Sequence, residues 1–500
     1  MGLQLKSRGH SRVVLSSLLA LFALALLLLL VFNSLVFPPW FATLALLKMS
    51  VNFILQIFHE IIGTVYFFIN YINLYIPLAT LGAFRWAIWI FKRICAYIYE
   101  PFDALIPQYY STLSIVTTVY NEKPHLFARA LSSWQSNNPD ELIAVIDYTD
   151  TDCIKIFKEF SDNKPWAKLI VMSKPGKRIS LSEGILTAKS DIVALVDSDT
   201  IWAPNIKDIL LAPFRDPKIG GVTARNHVII DDTKYPCIWQ RITEIFWSMR
   251  NYLDLPSQTA MGGTLSCLTG RSSLYRRKII VPKLDELLNE VILGKRKESG
   301  EDKCLTRLIQ REGWKTFYQS NAEVYSSAAT DFKGFWSQRL RWTRNSHNSD
   351  LVSLWDGWVW KHPYLTFYMI DRLISSFTLF LGPIYFAISI YMNQWIIALS
   401  ILIWWMIGRA IKLIPHLRRK PEDILILPLY VAINFLNALI KVYGLVTITD
   451  QKQIREVKVI STTKSTQRNR KKLFFKKITD VSLTTGIIMG LVILVSEFGK

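Results

Sequence analysis

The chain has 500 residues, a hydrophobic fraction of 51% and a formal net charge of +20. This length allows two or three domains, and the positive charge points to nucleic acid, anionic lipid or an anionic substrate. Neither zinc-finger spacing nor a basic zipper is present, so nucleic acid is not an expected partner. The five cysteines form no Cys-x-x-Cys pair, which argues against a zinc site or disulfide framework and fits reduced cytosolic thiols.

The first 100 residues are predicted to be a transmembrane region. Residues 14–32 are apolar and uncharged, long enough for one spanning helix, and residues 61–90 form a second such stretch. No small-residue cleavage site follows the first stretch, so a removed signal peptide is not expected. Residues 41–58 either span or lie in the interface, and the sequence leaves both open. Basic residues on the two flanks of the region place both flanks in the cytoplasm.

Residues 110–330 are predicted to be a cytosolic α/β domain, because short apolar strands alternate with helices of about ten residues. This alternation is typical of a Rossmann-like, mostly parallel sheet covered on both faces. Ligands of such sheets bind beyond the carboxyl ends of the strands. The predicted strands are 113–118, 142–146, 169–172 and 192–196, and the predicted helices are 124–135, 154–160, 181–188 and 304–310.

Acidic residues end two of these strands. Asp147 follows the second strand and Asp197-Ser198-Asp199 follows the fourth, so we expect their side chains to face one crevice. Carboxylates one residue apart offer the hard oxygen ligands that Mg²⁺ or Mn²⁺ prefers, and such a cation neutralises a diphosphate. A solvated turn shows the same pattern, but the apolar strand before Asp197 favours a metal site. Asp147 is suited to hydrogen-bonding a nucleobase or ribose.

A basic turn at residues 174–178 precedes a helix and contains Lys177. Backbone N–H groups and cations at such a turn can hold a phosphate. A solvated basic turn has the same composition and stays open as the alternative.

A glycine among small polar residues follows at position 270. Gly270 would let an acceptor molecule approach the backbone closely, with Cys267, Thr269 and Arg271 beside it. A plain turn before a helix explains the segment equally well.

Residues 299–303 place Glu301 and Asp302 directly after a glycine. A general base that takes the proton from an attacking hydroxyl must lie opposite the departing group. Asp302 is the predicted base, with Glu301 as its catalytic neighbour. An acidic N-cap for helix 304–310 is the alternative.

Residues 331–362 mix aromatic and basic side chains, which suits helices lying at lipid headgroups. Gln338 and Trp342 are four residues apart and share one helical face. Tryptophan can stack on a sugar ring, and Arg341 can hold a diphosphate through two hydrogen bonds. An interfacial anchor is an equally good local explanation.

Three apolar stretches at 364–392, 395–414 and 424–448 predict a transmembrane region over residues 363–450. Residues 451–500 add a basic segment and a predicted terminal transmembrane helix. The basic clusters beside these stretches indicate anchoring at an anionic membrane surface.

These signatures, in this order, resemble the processive family-2 glycosyltransferases, which include hyaluronan synthase, cellulose synthase and bacterial alginate polymerase. The resemblance covers about residues 114–342 and extends more loosely to residue 448. Residues 273–277 and 300–306 are most similar to bacterial hyaluronan synthase, whereas Thr269-Gly270-Arg271 is more similar to alginate polymerase. Tyr148 follows Asp147 where the family usually has glycine.

The resemblance implies a GT-A-like domain fused to a multi-span α-helical domain in the plasma or inner membrane, with the catalytic domain in the cytoplasm. It implies inverting transfer of sugars from UDP to a growing polysaccharide, which leaves through a channel between the membrane helices. Transfer of a single sugar to a lipid is the alternative. The implied roles are Asp302 as the base, Asp197 and Asp199 on the nucleotide and on Mg²⁺ or Mn²⁺, and Asp147, Lys177, Gln338, Arg341 and Trp342 at the donor, with Trp342 also at the acceptor terminus.

Overall fold

The computed structural model describes residues 39–104, 109–173, 176–229, 237–292, 294–450 and 467–497. The predicted first span at 14–32 and most of the basic segment after residue 450 lie outside these residues. The described chain begins with one long helix, α1 (Pro39–Tyr97). The two stretches predicted at 41–58 and 61–90 are therefore parts of a single continuous helix.

An eight-stranded sheet forms the centre of the domain that follows. Its strand order is β3-β2-β1-β4-β7-β6-β10-β5, and four of its seven pairings are parallel. The mostly parallel sheet predicted from the sequence is confirmed. The strands are β1 (Leu113–Val119), β2 (Glu141–Asp147), β3 (Ala167–Met172), β4 (Ile192–Leu195), β5 (Ile201–Trp202), β6 (Ile219–Val228), β7 (Ser273–Arg276) and β10 (Lys315–Ser326), while β8 (Val291–Ile292) and β9 (Lys295–Arg296) form a separate hairpin.

Helices cover both faces of this sheet, which is why its central strands are apolar on both sides. One buried cluster packs Phe127 and Trp134 against β1 and β2, and another packs Ile185 and Leu305 against the opposite face. The helices of the domain are α2 (Pro124–Gln135), α3 (Thr151–Ser161), α4 (Lys177–Thr187), α5 (Ile206–Leu211), α6 (Ile238–Met249), α7 (Leu255–Ala260), α8 (Arg277–Ile280), α9 (Leu284–Leu288) and α10 (Glu301–Arg311).

Four stretches of helix in the described residues are long and apolar enough to cross a membrane. They are Leu74–Tyr97 within α1, Pro363–Tyr391, Trp395–Lys412 and Pro421–Val446. The last three match the spans predicted from the sequence. The predicted terminal span lies within the final helix, which is not among these four. The remaining helices are α11 (Phe332–Trp355), α12 (Pro363–Tyr391), α13 (Trp395–Lys412), α14 (Ile414–Leu417), α15 (Leu427–Val446) and α16 (Gln467–Glu497).

Ion pairs hold α11 and the apolar helices together. Arg372 of α12 donates through Nε to Asp350 of α11 at 2.7 Å, and Asp350 is fully buried. The neighbouring Asp371 accepts from Lys92 of α1 at 2.6 Å and also pairs with Arg85. Since a buried carboxylate without a partner is strongly destabilising, the Asp350 pair fixes α11 on α12, and the Asp371 pairs fix α12 on α1.

Candidate active site

The carboxyl ends of the parallel strands carry the predicted acidic residues, as the sheet topology requires. Asp197 lies just beyond β4, and its backbone N–H donates to the carbonyl of Gly270 at 2.9 Å. A Cβ atom at Gly270 would lie 3.5 Å from an Asp197 carboxylate oxygen. The segment predicted to bind an acceptor therefore lies directly against the predicted nucleotide and metal residues.

Lys177, the first residue of α4, joins two carboxylates. Its Nζ lies 2.9 Å from Oδ1 of Asp197 and 2.6 Å from Oε1 of Glu301. Burial disfavours the ammonium, but the two carboxylates outweigh it, so the pKa of Lys177 is raised and the group stays charged. Burial likewise opposes the charge of Asp197, and Lys177 with Arg271 and Arg341 lowers the pKa of that carboxyl.

Asp199 and Glu122 add negative charge to the same edge of the sheet. Burial and the Asp197 charge raise the pKa of Asp199, and burial and the Asp199 charge raise that of Glu122. The described residues contain no group of three or more His, Cys, Asp or Glu side chains placed to hold a metal. Mg²⁺ commonly takes one or two carboxylates and completes its shell with water and substrate phosphate. The Asp197 and Asp199 pair fits that mode, and a bound cation would relieve their repulsion.

Gly300 starts α10 in a left-handed conformation with φ of 79°. An added Cβ would meet the Asn345 side chain at 3.0 Å, and Ser299 donates to Asn345 at 3.0 Å. Glu301 and Asp302 thus begin the helix close to α11. The N-cap residue of α10 is Gly300, and the carboxylate of Asp302 accepts from the N–H of Lys303 in the first turn at 2.8 Å.

Asp302 also accepts a hydrogen bond from the Cys267 thiol at 3.4 Å. Burial and the Asp302 charge raise the pKa of Cys267 to about 12, so the thiol keeps its proton. The carbonyl of Cys267 accepts from Nη2 of Arg250 at 3.0 Å. The segment carrying Cys267 is therefore fixed on one side by the predicted base and on the other by an arginine at the end of α6.

Arg271 stacks between two tryptophans. Its guanidinium carbon lies 4.0 Å from the ring centre of Trp247 and 5.1 Å from that of Trp342. The same guanidinium interacts electrostatically with Asp197, Asp199 and Asp302. Arg271 therefore interacts both with the Asp197 and Asp199 pair and with Asp302, which lies about a hundred residues later in the sequence.

One cavity of about 280 Å³ is lined by Arg271, the two tryptophans, Asp197 and Asp302. Two of the lining residues, Tyr368 and Arg372, come from the apolar helix α12. Seven lining side chains are basic and three are acidic, so the cavity attracts anions. The basic ones are Lys177, Arg250, Arg271, Lys303, Arg339, Arg341 and Arg372, and the acidic ones are Asp197, Glu301 and Asp302.

The cavity unites ten of the residues singled out from the sequence. Asp147, Asp199 and Gln338 do not line it. Asp147 ends β2 at the same edge of the sheet, and its carboxylate accepts from the Thr149 N–H and hydroxyl at 3.1 and 2.6 Å. Gln338 lies on α11 one turn before Trp342, and its Oε1 is buried without a hydrogen-bond partner among the described residues. The ten lining residues are Lys177, Asp197, Cys267, Thr269, Gly270, Arg271, Glu301, Asp302, Arg341 and Trp342.

Several residues that line the cavity, and Glu122 at the same edge of the sheet, were missed by sequence reasoning. Lys303 and Arg339 lie inside motifs that drew attention for their neighbours, and Glu122 follows β1, so the rule that found Asp147 and Asp197 applies to it too. Arg250 and Arg372 carry no local signal, because only the packing of α6 and α12 brings them to the cavity.

The comparisons with known proteins agree with this geometry. Residues 111–345 match the family model described as glycosyltransferase like family 2. This region is a family 2 glycosyltransferase domain. The chain is 26% identical over 376 residues to hyaluronan synthase of Streptococcus pyogenes, covering 72% of this chain and 86% of that one. It is 26% identical over 354 residues to a type 2 glycosyltransferase of Pyricularia oryzae, covering 67% of this chain and 71% of the relative.

One solved structure supports the fold of the family 2 domain. It is a mannosyltransferase from Pyrobaculum calidifontis in complex with GDP-Man and Mn²⁺, similar with a TM-score of 0.50 and 15% identity. The similarity covers 73% of this chain and 99% of that one. The predicted GT-A-like α/β fold joined to apolar helices is confirmed.

Proposed function

We propose that this family 2 enzyme polymerises sugars from UDP-sugar donors into a polysaccharide and moves the product across the membrane in which it sits. The observation that carries the proposal is the single cavity that holds Asp302, Lys177 and Trp342 and is closed by Tyr368 and Arg372 of the apolar helix α12. A site walled partly by a candidate span can pass its product directly to the membrane region.

The donor half of the cavity is assigned to Lys177, Asp197 and Arg341. The Lys177 ammonium and the Arg341 guanidinium suit a diphosphate, because such cations hold its two negative charges through charge-assisted hydrogen bonds. Asp197 and Asp199 would hold Mg²⁺ or Mn²⁺, which supplies charge neutralisation as the diphosphate departs. Two assigned residues lie outside the cavity. Asp147 is assigned to binding the nucleoside, and Gln338 is assigned to supporting Trp342.

The acceptor half is assigned to the segment Cys267–Arg271 and to Trp342. Asp302 takes the proton from the acceptor hydroxyl as that oxygen attacks the anomeric carbon on the face opposite the diphosphate, which inverts the configuration. Glu301 stays ionised beside Lys177 and fixes its position, because Lys177 lowers the pKa of that carboxyl against the effect of burial.

We assign the catalytic domain to the side of the membrane where basic residues flank the candidate spans. We assign this side to the cytoplasm by the positive-inside tendency. UDP-sugars would then enter from the cytoplasm, and the polymer would leave on the other side.

The test is to incubate the purified protein in lipid nanodiscs with a panel of labelled UDP-sugars and with Mg²⁺ or Mn²⁺. The expected product is a chain of many sugars that linkage-specific hydrolases degrade, and a chelator abolishes its formation. A product limited to one sugar on a lipid contradicts polymerisation and supports the single-transfer alternative. Failure to release UDP from any donor contradicts the whole proposal.

A further inference from the structure

A second, larger cavity lies between the apolar helices, apart from the active site. Its volume is about 1190 Å³, above the range of about 300–1,000 Å³ usual for small-molecule sites. Helices α1, α12, α13 and α15 form its walls, with side chains such as Leu78, Leu379 and Ile397. None of the described residues that line this cavity also lines the active-site cavity.

One end of this cavity is basic. Arg85, Arg409 and Lys412 line it, and no acidic side chain does among the described residues. Arg85 is neutralised by Asp371. Arg409 and Lys412 form no ion pair with any described residue, so an anion bound there would meet no competing carboxylate.

The charged and apolar ends are separated along the membrane direction. Fifteen residues of α13 separate Ile397 from Lys412, which is about 22 Å of helix. The charged end faces the family 2 domain, because α14 follows at once and His416 hydrogen-bonds Ser248 of α6 at 2.8 Å. The cavity is therefore long, apolar in the bilayer core and cationic at the interface on the side of the domain.

Aromatic and basic groups continue at the charged end. The Lys412 Nζ lies 4.7 Å from the ring centre of Trp86, and tryptophan favours the level of the headgroups. A smaller cavity of about 250 Å³ shares Lys412 and adds Arg93 and Arg418, again with no acidic side chain among the described lining residues. The cationic region thus extends beyond the mouth of the large cavity.

From this shape and charge we infer that the chain binds an anionic phospholipid, with its phosphate at Arg409 and Lys412 and its acyl chains between α1, α12, α13 and α15. Charge complementarity selects an anionic headgroup, since each cation near a membrane surface favours anionic lipid. A zwitterionic lipid would fill the apolar part, but its own cationic headgroup would oppose the charges of Arg409 and Lys412. The inference is independent of the proposed polymerisation, because the two cavities have no described wall residue in common.

Lipid selection tests the inference directly. The full-length protein is reconstituted in nanodiscs with equal amounts of phosphatidylglycerol and phosphatidylcholine, then extracted with mild detergent, and the retained lipids are quantified by mass spectrometry. We expect phosphatidylglycerol to be enriched, and Lys412→Gln and Arg409→Gln each to lower the enrichment about fivefold. Lys412→Arg should keep it, and Lys361→Gln, an exposed cation outside both cavities, should not change it. Equal retention of the two lipids, or an equal loss in Lys361→Gln, overturns the inference.

Photo-crosslinking identifies the occupant without relying on charge variants. A photoreactive residue at Ser400, which lines the large cavity, is activated in the same nanodiscs and the adduct is identified by mass. A phosphatidylglycerol adduct supports the inference. An adduct to the chain's own apolar residues 14–32, or phosphatidylcholine adducts as frequent as phosphatidylglycerol adducts, overturns it.

Discussion

The Cys267 thiol donates a hydrogen bond to Oδ2 of Asp302 across 3.4 Å, joining the segment assigned to the acceptor to the carboxylate assigned as the base. Thirty-five positions separate the two residues in the chain. The contact exists because the segment that leads into β7 carries Cys267 and the start of α10 carries Asp302, and both lie against the end of β4.

Replacing Cys267 with alanine should lower activity, because it removes the hydrogen bond that helps to hold the Asp302 carboxylate in place. A thiol is a weak donor, so we expect the rate of sugar incorporation to fall several-fold rather than by orders of magnitude. The measurement is the rate of sugar incorporation at saturating donor. Cys153→Ala, a buried cysteine of the sheet's other face that lies outside the cavity, is the control and should leave the rate unchanged. Equal rates for both variants contradict the assigned contact.

Lys177 should control donor affinity. Lys177→Met removes the cation between Asp197 and Glu301 and should weaken UDP-sugar binding about 10- to 100-fold, the usual range for a charge-assisted hydrogen bond. Lys177→Arg should recover part of the loss. Binding is measured by calorimetry, with Lys207→Gln, which breaks the Asp140 pair on the domain surface, as the control. Equal affinities for Lys177→Met and the control would show that Lys177 does not contact the donor.

We expect glycine to be required at position 300 both for its positive φ and because a side chain there would meet Asn345. Gly300→Ala and Gly313→Ala both place alanine at positive φ, 79° and 89°, and this conformation alone should cost each variant about 1 kcal/mol of unfolding free energy. Only at Gly300 does the added Cβ meet a neighbour, Asn345 at 3.0 Å, whereas at Gly313 nothing lies within 4 Å. Thermal unfolding and sugar incorporation are measured together. We expect a larger stability loss for Gly300→Ala than for Gly313→Ala, because its Cβ must also displace Asn345, and a loss of activity confined to Gly300→Ala. Equal activities contradict the role of this contact.

The charge of Lys303 should give the enzyme a basic pH limit. Burial and the Arg372 charge lower the pKa of Lys303 to about 8, so the folded cavity loses a cation as pH rises through that value. Binding of an anionic substrate, measured as KM, should therefore weaken between about pH 7.5 and 9. Lys303→Gln should have a KM that is higher and flat over this range. A wild-type KM that does not change with pH contradicts the prediction.

The lowered pKa of Lys303 also makes the free energy of unfolding depend on pH in a known direction. Between pH 8 and the ordinary pKa of 10.5 the unfolded chain binds more protons at Lys303 than the folded one. The contribution of this residue to the free energy of unfolding therefore rises with pH in that window. Denaturant unfolding of wild type and Lys303→Gln at pH 7.5 and 10 should show this difference, and a wild-type advantage that shrinks with pH would contradict it.

The sequence predicts the apolar half of the fold well. Strands β1, β2, β3 and β4 and the three apolar helices after residue 362 follow from runs of apolar residues, which leave a clear pattern in the sequence. Strands β6 and β7 were missed because they carry Thr223, Asn226 and Ser273 in buried positions. Their polar groups are satisfied by contacts that no local pattern shows, such as the Thr223 hydroxyl donating to the Ser272 carbonyl at 3.1 Å.

Part of the candidate site could likewise be predicted from the sequence and part could not. Asp197 could be predicted because it follows an apolar strand, and Asp302 because it lies in an acidic pair directly after a glycine. The stack of Arg271 on Trp247 and Trp342 could not, since it depends on how α6 and α11 pack on the sheet. The same holds for Arg372, which reaches the cavity from a candidate span.

The central claim is that the carboxylate of Asp302 takes a proton from an acceptor in the cavity that also binds the donor through Lys177 and Asp197. Sugar incorporation and donor affinity of Asp302→Asn in nanodiscs test it together. The expected result is a fall in incorporation of about 10²- to 10⁴-fold, the usual contribution of a general base, with the donor dissociation constant within about twofold of wild type. Incorporation at the wild-type rate would contradict the claim.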